Sequence, residues 1–187
     1  MTDGDVAQMV SGTSISLKYA HIERERRFLF QGSIPSFSHV RSLQIRDRYL
    51  LGTTLRLRRV DESGHPAIFK LGQKIRIDGA QPSTNAHTTM YISKEEFDFL
   101  AVLPCNTLEK VRRIEKIGDF NLAVDVFGAQ LLGLVLAEID LGASGTFPDC
   151  FPLDLANEVT NDERFTGGTL AKMTAKELNS ILNLFNR

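Results

Sequence analysis

Cysteine is scarce in this chain, with Cys105 and Cys150 the only two among 187 residues. Neither a CxxC spacing nor a disulfide framework can be built from them, which excludes a disulfide-stapled scaffold and fits a reducing compartment. A surplus of one charge is also absent. The 22 Lys and Arg are matched by 23 Asp and Glu, so no global field draws the chain to nucleic acid or to an anionic membrane. No apolar run approaches the ~18 residues of a membrane span, and the first dozen residues lack the basic start and apolar stretch of a secretory signal. Internal repeats and low-complexity tracts are missing as well. His21, His39, His65 and His87 are scattered, form no ligand spacing, and read as surface or loop residues. These absences lead to the expectation of a soluble cytoplasmic protein with neither a membrane nor a nucleic-acid partner.

What is present is ordinary in amount and unusual in arrangement. Hydrophobic residues at 42% and charged residues at 24% suit one globular domain with a substantial core. Residues 1–16 are small and polar without sustained periodicity and read as a flexible arm; residues 17–187 read as the domain. From Lys18 onward, β-branched and aromatic residues alternate with charges at every second position, which is strand periodicity. The segments are roughly 19–30, 39–51, 53–61, 66–77, 107–117, 120–127 and 133–142, with a short last one near 158–166. Asp61-Glu62-Ser63-Gly64 reads as a hairpin turn, and Gly79 to Thr89 as a mobile loop. Ser93 with Glu96, and Thr174 with Glu177, form capping boxes that start two helices. The second continues through Leu178, Ile181, Leu182 and Phe185.

The polar faces of these strands are charged and paired. Glu23, Glu25 and Arg27 share a face, as do Arg56 and Arg58, Lys110 and Arg112, and Glu138 and Asp140; Lys70 and Asp125 repeat the pattern singly. Any one pair is also what the solvated side of an antiparallel sheet looks like. Repeated over four strands, the pattern fits a closed barrel whose polar faces point inward around a water-filled tunnel. Charges in such a lumen need neutralising partners. Glu23, Glu25, Asp125, Glu138 and Asp140 offer only hard oxygen ligands, which select Mg²⁺ or Mn²⁺ over zinc. Arg27, Arg56, Arg58, Lys70, Lys110 and Arg112 offer contacts to phosphate oxygens. A small molecule with several phosphates satisfies both sets.

These residues resemble the CYTH, or triphosphate tunnel metalloenzyme, superfamily, whose signature E-x-E-x-K stands here as Glu23-Arg24-Glu25-Arg26-Arg27. The likeness continues through Thr54-Leu55-Arg56-Leu57-Arg58, the strand around Lys70, Glu109-Lys110-Val111-Arg112, the strand carrying Asp125, Leu136-Ala137-Glu138-Ile139-Asp140-Leu141, and Glu158 to Phe165. It spans about residues 18–173. The resemblance implies an α+β, mainly β fold: an eight-stranded antiparallel barrel with helices packed outside. It implies a Mg²⁺- or Mn²⁺-dependent enzyme in which Glu23, Glu25, Asp125, Glu138 and Asp140 hold metal, with Glu23, Glu25 and Arg27 at the catalytic centre. Arg56, Arg58, Lys70, Lys110, Arg112 and, from the last motif, Arg164 would hold phosphates. The expected reaction is hydrolysis of inorganic triphosphate to diphosphate and phosphate. Class IV adenylyl cyclase and a non-catalytic polyphosphate- or nucleotide-binding module are the alternatives. A homodimer would cover apolar outer strand faces. Two positions depart from the family pattern. Arg27 replaces its lysine and does not readily release a proton, and Phe165-Thr166-Gly167-Gly168 stands where an aromatic pair followed by Asn is usual.

Overall fold

The computed structural model describes residues 7–10, 13–30, 41–77, 84–118, 120–142, 146–147, 155 and 157–185. The stretch expected as an arm carries a small hairpin, β1 (Ala7–Val10) with β2 (Thr13–Ser16), paired to itself and outside the main sheet. The remaining strands are β3 (His21–Leu29), β4 (Arg41–Leu50), β5 (Leu55–Glu62), β6 (Ile68–Arg76), β7 (Thr84–Ile92), β8 (Cys105–Ile117), β9 (Phe120–Phe127) and β10 (Val135–Asp140). They close into a barrel in the order β10-β3-β7-β6-β5-β4-β8-β9, every neighbouring pair antiparallel. Closure leaves no open sheet edge, which is how an antiparallel sheet with charged strands avoids edge-to-edge pairing. The β5–β6 turn falls where Asp61-Glu62-Ser63-Gly64 placed it, with Gly64 at φ +77°, a left-handed conformation that glycine adopts without a Cβ penalty.

Seven of the eight barrel strands match segments read from periodicity, and the eighth does not. Residues 84–89 lie in β7 and not in a loop; the rest of the expected loop, 79–83, is outside the described residues. The misreading has a physical cause. Thr84-Asn85-Ala86-His87-Thr88-Thr89 carries no apolar row, because the lumen is polar and the outward row needs only the buried Ala86. Conversely, residues 158–166 are not a strand. One bridge joins Phe28 to Glu158, followed by a 3₁₀ turn over Glu163–Phe165. β7 already pairs with His21–Arg24 of β3, leaving only the stretch around Arg27–Leu29 for residues 157–160 to follow.

The helices start where the capping boxes put them. In α1 (Lys94–Leu100) the Ser93 hydroxyl accepts from the Glu96 amide at 3.1 Å, and the Ser93 amide donates to the Glu96 carboxylate at 2.7 Å. Phe97 of α1 stacks on Phe69 on the outer wall, ring centroids 5.0 Å apart. A short α2 (Gly167–Leu170) precedes α3 (Ala175–Phe185), where the Thr174 amide donates to Glu177 at 2.8 Å. Among the described residues no helix is long and apolar enough to cross a membrane.

Apolar residues collect outside the barrel and at its ends. Phe28, Leu122, Val124, Ala137 and Ile139 form one outer cluster, packed with Phe147 and Leu155. Leu17, Ile75 and Ala86 form another, joined by Ile15 and Ile22. The largest cluster joins Leu29, Leu108, Phe127 and Leu136, at one end of their strands, to Phe165, Leu170, Met173 and Leu178 from the C-terminal segment. That segment therefore closes part of one barrel end with side chains that carry no charge. Phe165, 1% exposed, sits at its centre and meets the Phe185 ring edge-on at 5.9 Å. Phe165→Ala is expected to destabilise the protein by about 3–5 kcal/mol, read as a lowered midpoint of urea unfolding, since a void that large in a filled barrel end does not collapse.

Candidate functional site

Residues directly opposite on paired strands, and every second residue along a strand, share a face. Tracing that rule around the barrel places Glu23, Glu25, Arg27, Arg56, Arg58, Lys74, His87, Lys110, Arg112 and Glu138 on the inner surface, and these residues line a cavity of about 530 Å³. Farther along the inward rows, Leu43, Ile45 and Val60 are buried and pack with Ile114, so part of the lumen is filled by aliphatic side chains. The rest of the cavity wall is formed by Tyr49, the β4–β5 turn at Thr53 and Thr54, Arg76, and the segment from Thr160 to Thr169.

The inner charges are paired by register. Arg27 lies opposite Glu138, Arg112 opposite Asp125, and Arg58 opposite Asp47. Arg58 forks both oxygens of Asp47, Nε to Oδ1 at 2.6 Å and Nη2 to Oδ2 at 2.7 Å. Arg112 does the same to Asp125 at 2.7 Å for each bond, and also donates to Glu138. Lys110 Nζ donates to Asp125 at 2.5 Å. Arg27 donates through Nε to Glu138 at 2.9 Å and through Nη1 to the Phe165 carbonyl at 2.9 Å. Arg56 is different. Its Nε lies 3.7 Å from Asp47 and, although buried, has no hydrogen-bond partner.

A second group lies on the β3, β6 and β7 walls. Lys74 Nζ sits between two carboxylates, 2.7 Å from Glu25 and 3.0 Å from Glu23. His87 Nδ1 is 2.6 Å from the other oxygen of Glu23, and its Nε2 is 3.0 Å from the Thr89 hydroxyl. Burial alone would raise the Glu23 carboxyl, but the His87 hydrogen bond and the Lys74 charge override it and hold the group at about 2. Asp47 shows the same contest: burial opposes its charge, while Arg58 and then Arg56 bring it down to about 2. Lys110 moves the other way. Burial and the neighbouring Arg112 push its ammonium down to about 8, against the pull of Asp125.

The structure thus gathers Glu23, Glu25, Arg27, Arg56, Arg58, Lys110, Arg112 and Glu138 around one cavity, as their spacing led one to expect. Asp125 stands directly behind this wall, 1% exposed, and meets the cavity only through Lys110 and Arg112. Three expected residues lie elsewhere. Lys70 has the inward register but places its ammonium 4.7 Å over the Tyr91 ring, away from the cavity lining. Asp140 is exposed at the end of β10 and accepts from the Gly142 amide at 2.9 Å. Arg164 turns back on Asp162, Nε to Oδ1 at 2.9 Å, within the 3₁₀ turn. Sequence reasoning missed Lys74, which has the parity of Lys70 and lies deeper. It also missed Asp47, which alternates with Ile45 and Tyr49, and Tyr49 itself. His87 is a correction: His21 and His65 are exposed as expected and His39 is outside the described residues, but His87 faces the lumen. It was hidden by the polar strand that carries it.

Known structures share this fold. No family model matches the chain, and no curated protein matches it. Among solved structures, one described as the hypothetical protein NE1496 is 23% identical, with a TM-score of 0.53 over 81% of this chain and 99% of that one. A second, described as the inorganic triphosphatase NE1496, is 23% identical with a TM-score of 0.54, over 80% of this chain and 97% of the other. The chain shares their fold, the closed eight-stranded antiparallel barrel that the CYTH resemblance implied. At this identity the likeness establishes the architecture, and the chemistry of the tunnel rests on its own side chains.

Two carboxylates of the tunnel are placed as a divalent metal would need. Glu23 and Glu25 already direct an oxygen each at one cation, the Lys74 ammonium, which shows that the two carboxylates converge as a hard-oxygen site requires. Among the described residues no three His, Cys, Asp or Glu side chains gather at one point, so the remaining ligands would come from water or substrate, the usual condition of Mg²⁺.

Two measurements follow from this geometry. A Cβ added at Gly167 would collide with the Tyr49 hydroxyl and stand 3.0 Å from its Cζ. Gly167→Ala is expected to cost about 1–3 kcal/mol, and adding Tyr49→Phe to recover part of the loss, giving a non-additive cycle in urea unfolding. For Asp47, a folded value of about 2 against the ordinary 3.8 means its contribution is full above pH 3.8 and is lost as pH falls toward 2. It amounts to roughly 2 kcal/mol. Asp47→Asn should therefore be less stable than the parent at pH 6, with the difference shrinking between pH 4 and pH 2.

Proposed function

We propose that the chain is a divalent-cation-dependent hydrolase of linear triphosphates, with inorganic triphosphate, cleaved to diphosphate and phosphate, as its substrate. The observation that carries this reading is Arg56. A half-buried guanidinium lining a cavity, with its Nε buried, unpartnered and 3.7 Å from the Asp47 carboxylate, is a costly arrangement that an incoming anion relieves. It is supported by Arg58, Lys110 and Arg112 behind it. Across the lumen, β3 carries Glu23 and Glu25, separated from β5 by β7 and β6. A linear triphosphate lying between the walls meets guanidinium donors on one side and, on the other, carboxylates that hold a cation against its oxygens.

In this reading Glu23 and Glu25 hold Mg²⁺ or Mn²⁺, which supplies neutralisation of phosphate charge when bound. Arg56 supplies donors where charge develops on the transferred phosphoryl group, and Arg112, forked to Asp125, adds fixed positive charge beside it. Arg27 is fixed between Glu138 and the Phe165 carbonyl, so its part is positional and electrostatic and does not include proton transfer. Among the described residues, Tyr49 and His87 carry the only aromatic rings in the cavity lining, and His87 is tied to Glu23 and Thr89, which leaves a nucleobase or thiazole little to stack on and favours inorganic triphosphate. A similar protein being described as an inorganic triphosphatase agrees with the reading.

Phosphate release with Mg²⁺ is expected to be faster from tripolyphosphate than from ATP or thiamine triphosphate, without cyclic AMP from ATP. Arg56→Ala should lower kcat/KM for tripolyphosphate about 10- to 100-fold, the loss of a charged contact worth roughly 1.5–3 kcal/mol, with the melting temperature held. A preference for an organic substrate would overturn the substrate assignment, and tight triphosphate binding without turnover would make the tunnel a binding module.

A further inference from the structure

Lys74 is held differently from the inner arginines. Arg27, Arg58 and Arg112 each contact a carboxylate directly opposite in the register, whereas Lys74 lies opposite His87 and reaches across to β3, where its single ammonium serves both Glu23 and Glu25. It is 30% exposed, and its partners are 25% and 24% exposed, so all three are within reach of solvent and ligand. Without it, two carboxylates on alternate residues of one strand would face each other across a partly dry space, a repulsion that demands a counter-cation. The ammonium therefore sits where a divalent ion between these carboxylates would sit.

Resting on the triphosphate reading above, we propose that Lys74 is a built-in counter-cation that keeps free divalent metal off Glu23 and Glu25 and swings to the substrate's phosphates when a metal–triphosphate complex enters. The geometry allows the exchange. β6 lies between β7 and β5 in the barrel, so Lys74 stands at the seam between the carboxylates of β3 and the guanidinium groups of β5. Its four-carbon stem carries a point charge that needs no fixed fork geometry. Free Mg²⁺ or Mn²⁺ arriving alone must give up water and also displace an ammonium that then has no partner. A metal already bound to triphosphate brings the new partner with it, since phosphate oxygens accept the released ammonium. Metal and substrate then bind together, and the tunnel at rest stays charge-balanced without metal. Lys74 here is a positioning residue.

Equilibrium dialysis of Mn²⁺, with bound metal read by electron paramagnetic resonance, tests this without turnover. The parent protein is expected to bind Mn²⁺ weakly alone and at least about tenfold more tightly with imidotriphosphate, a non-hydrolysed triphosphate, which corresponds to roughly 1.4 kcal/mol of coupling. Lys74→Met should bind Mn²⁺ alone at least tenfold more tightly than the parent, and Lys74→Arg, which keeps the charge, should not. If the parent binds Mn²⁺ equally well with and without imidotriphosphate, or if both Lys74 variants bind Mn²⁺ as the parent does, the counter-cation role is wrong while the triphosphate reading stands. If the parent takes up neither the anion nor Mn²⁺ with it, the triphosphate reading itself fails.

Discussion

The structure depends on neutralising charge inside a closed barrel. A buried carboxylate or guanidinium without a partner costs several kcal/mol, and the eight strands meet that demand by register: Arg27 opposite Glu138, Arg112 opposite Asp125, Arg58 opposite Asp47. A slip of one residue between any of these strands would turn the charges outward and the apolar rows of Leu57, Val124 and Ile139 inward. The inner ion pairs thus specify which strands meet and in what alignment, and the outer apolar clusters and the plug around Phe165 supply the burial that holds the alignment. Replacing such pairs by apolar residues often stabilises a protein, so their retention here points to use.

That use shows in which charges are fully matched and which are not. Asp47 with Arg58 and Asp125 with Arg112 and Lys110 form a set of short, forked contacts, each carboxylate about 1% exposed. Such pairs are stiff and pre-aligned. Arg56 and Lys74 stand in front of them, one with an unpartnered Nε and the other shared between two carboxylates. A rigid charged layer behind adaptable residues is what a polyanion site needs, because the fixed donors cost no reorganisation when the ligand arrives. The C-terminal segment completes the cavity: it closes one barrel end with Phe165, Leu170 and Leu178 and contributes Thr160, Thr166 and Thr169 to the wall.

Much of this was legible in the sequence, because alternation of charge with β-branched residues is a direct imprint of a barrel with a polar lumen. Glu23, Glu25 and Arg27, Arg56 and Arg58, Lys110 and Arg112, and Glu138 could be placed on one surface from parity alone. Parity fails where depth matters. Lys70 and Lys74 share a face, yet only Lys74 lies along the cavity, and Asp140 continues the row of Glu138 out to the barrel end. Pattern reading also assumes that strands bear an apolar row, which hid β7 and with it His87. Asp47 was missed because Arg46 and Arg48 flank it and the run looks solvated, although the residue between them is buried. Partner identity, more than position, was what the sequence left open.

The proposed function has the tunnel's charged lumen gripping a triphosphate. A crystal structure of the protein soaked with Mn²⁺ and tripolyphosphate tests it directly. A triphosphate chain is expected inside the barrel, its oxygens within hydrogen-bond reach of the Arg56, Arg58 and Arg112 side chains, with Mn²⁺ between that chain and Glu23 and Glu25. A lumen that keeps its present ion pairs while tripolyphosphate binds only to the outer surface, or not at all, would contradict it.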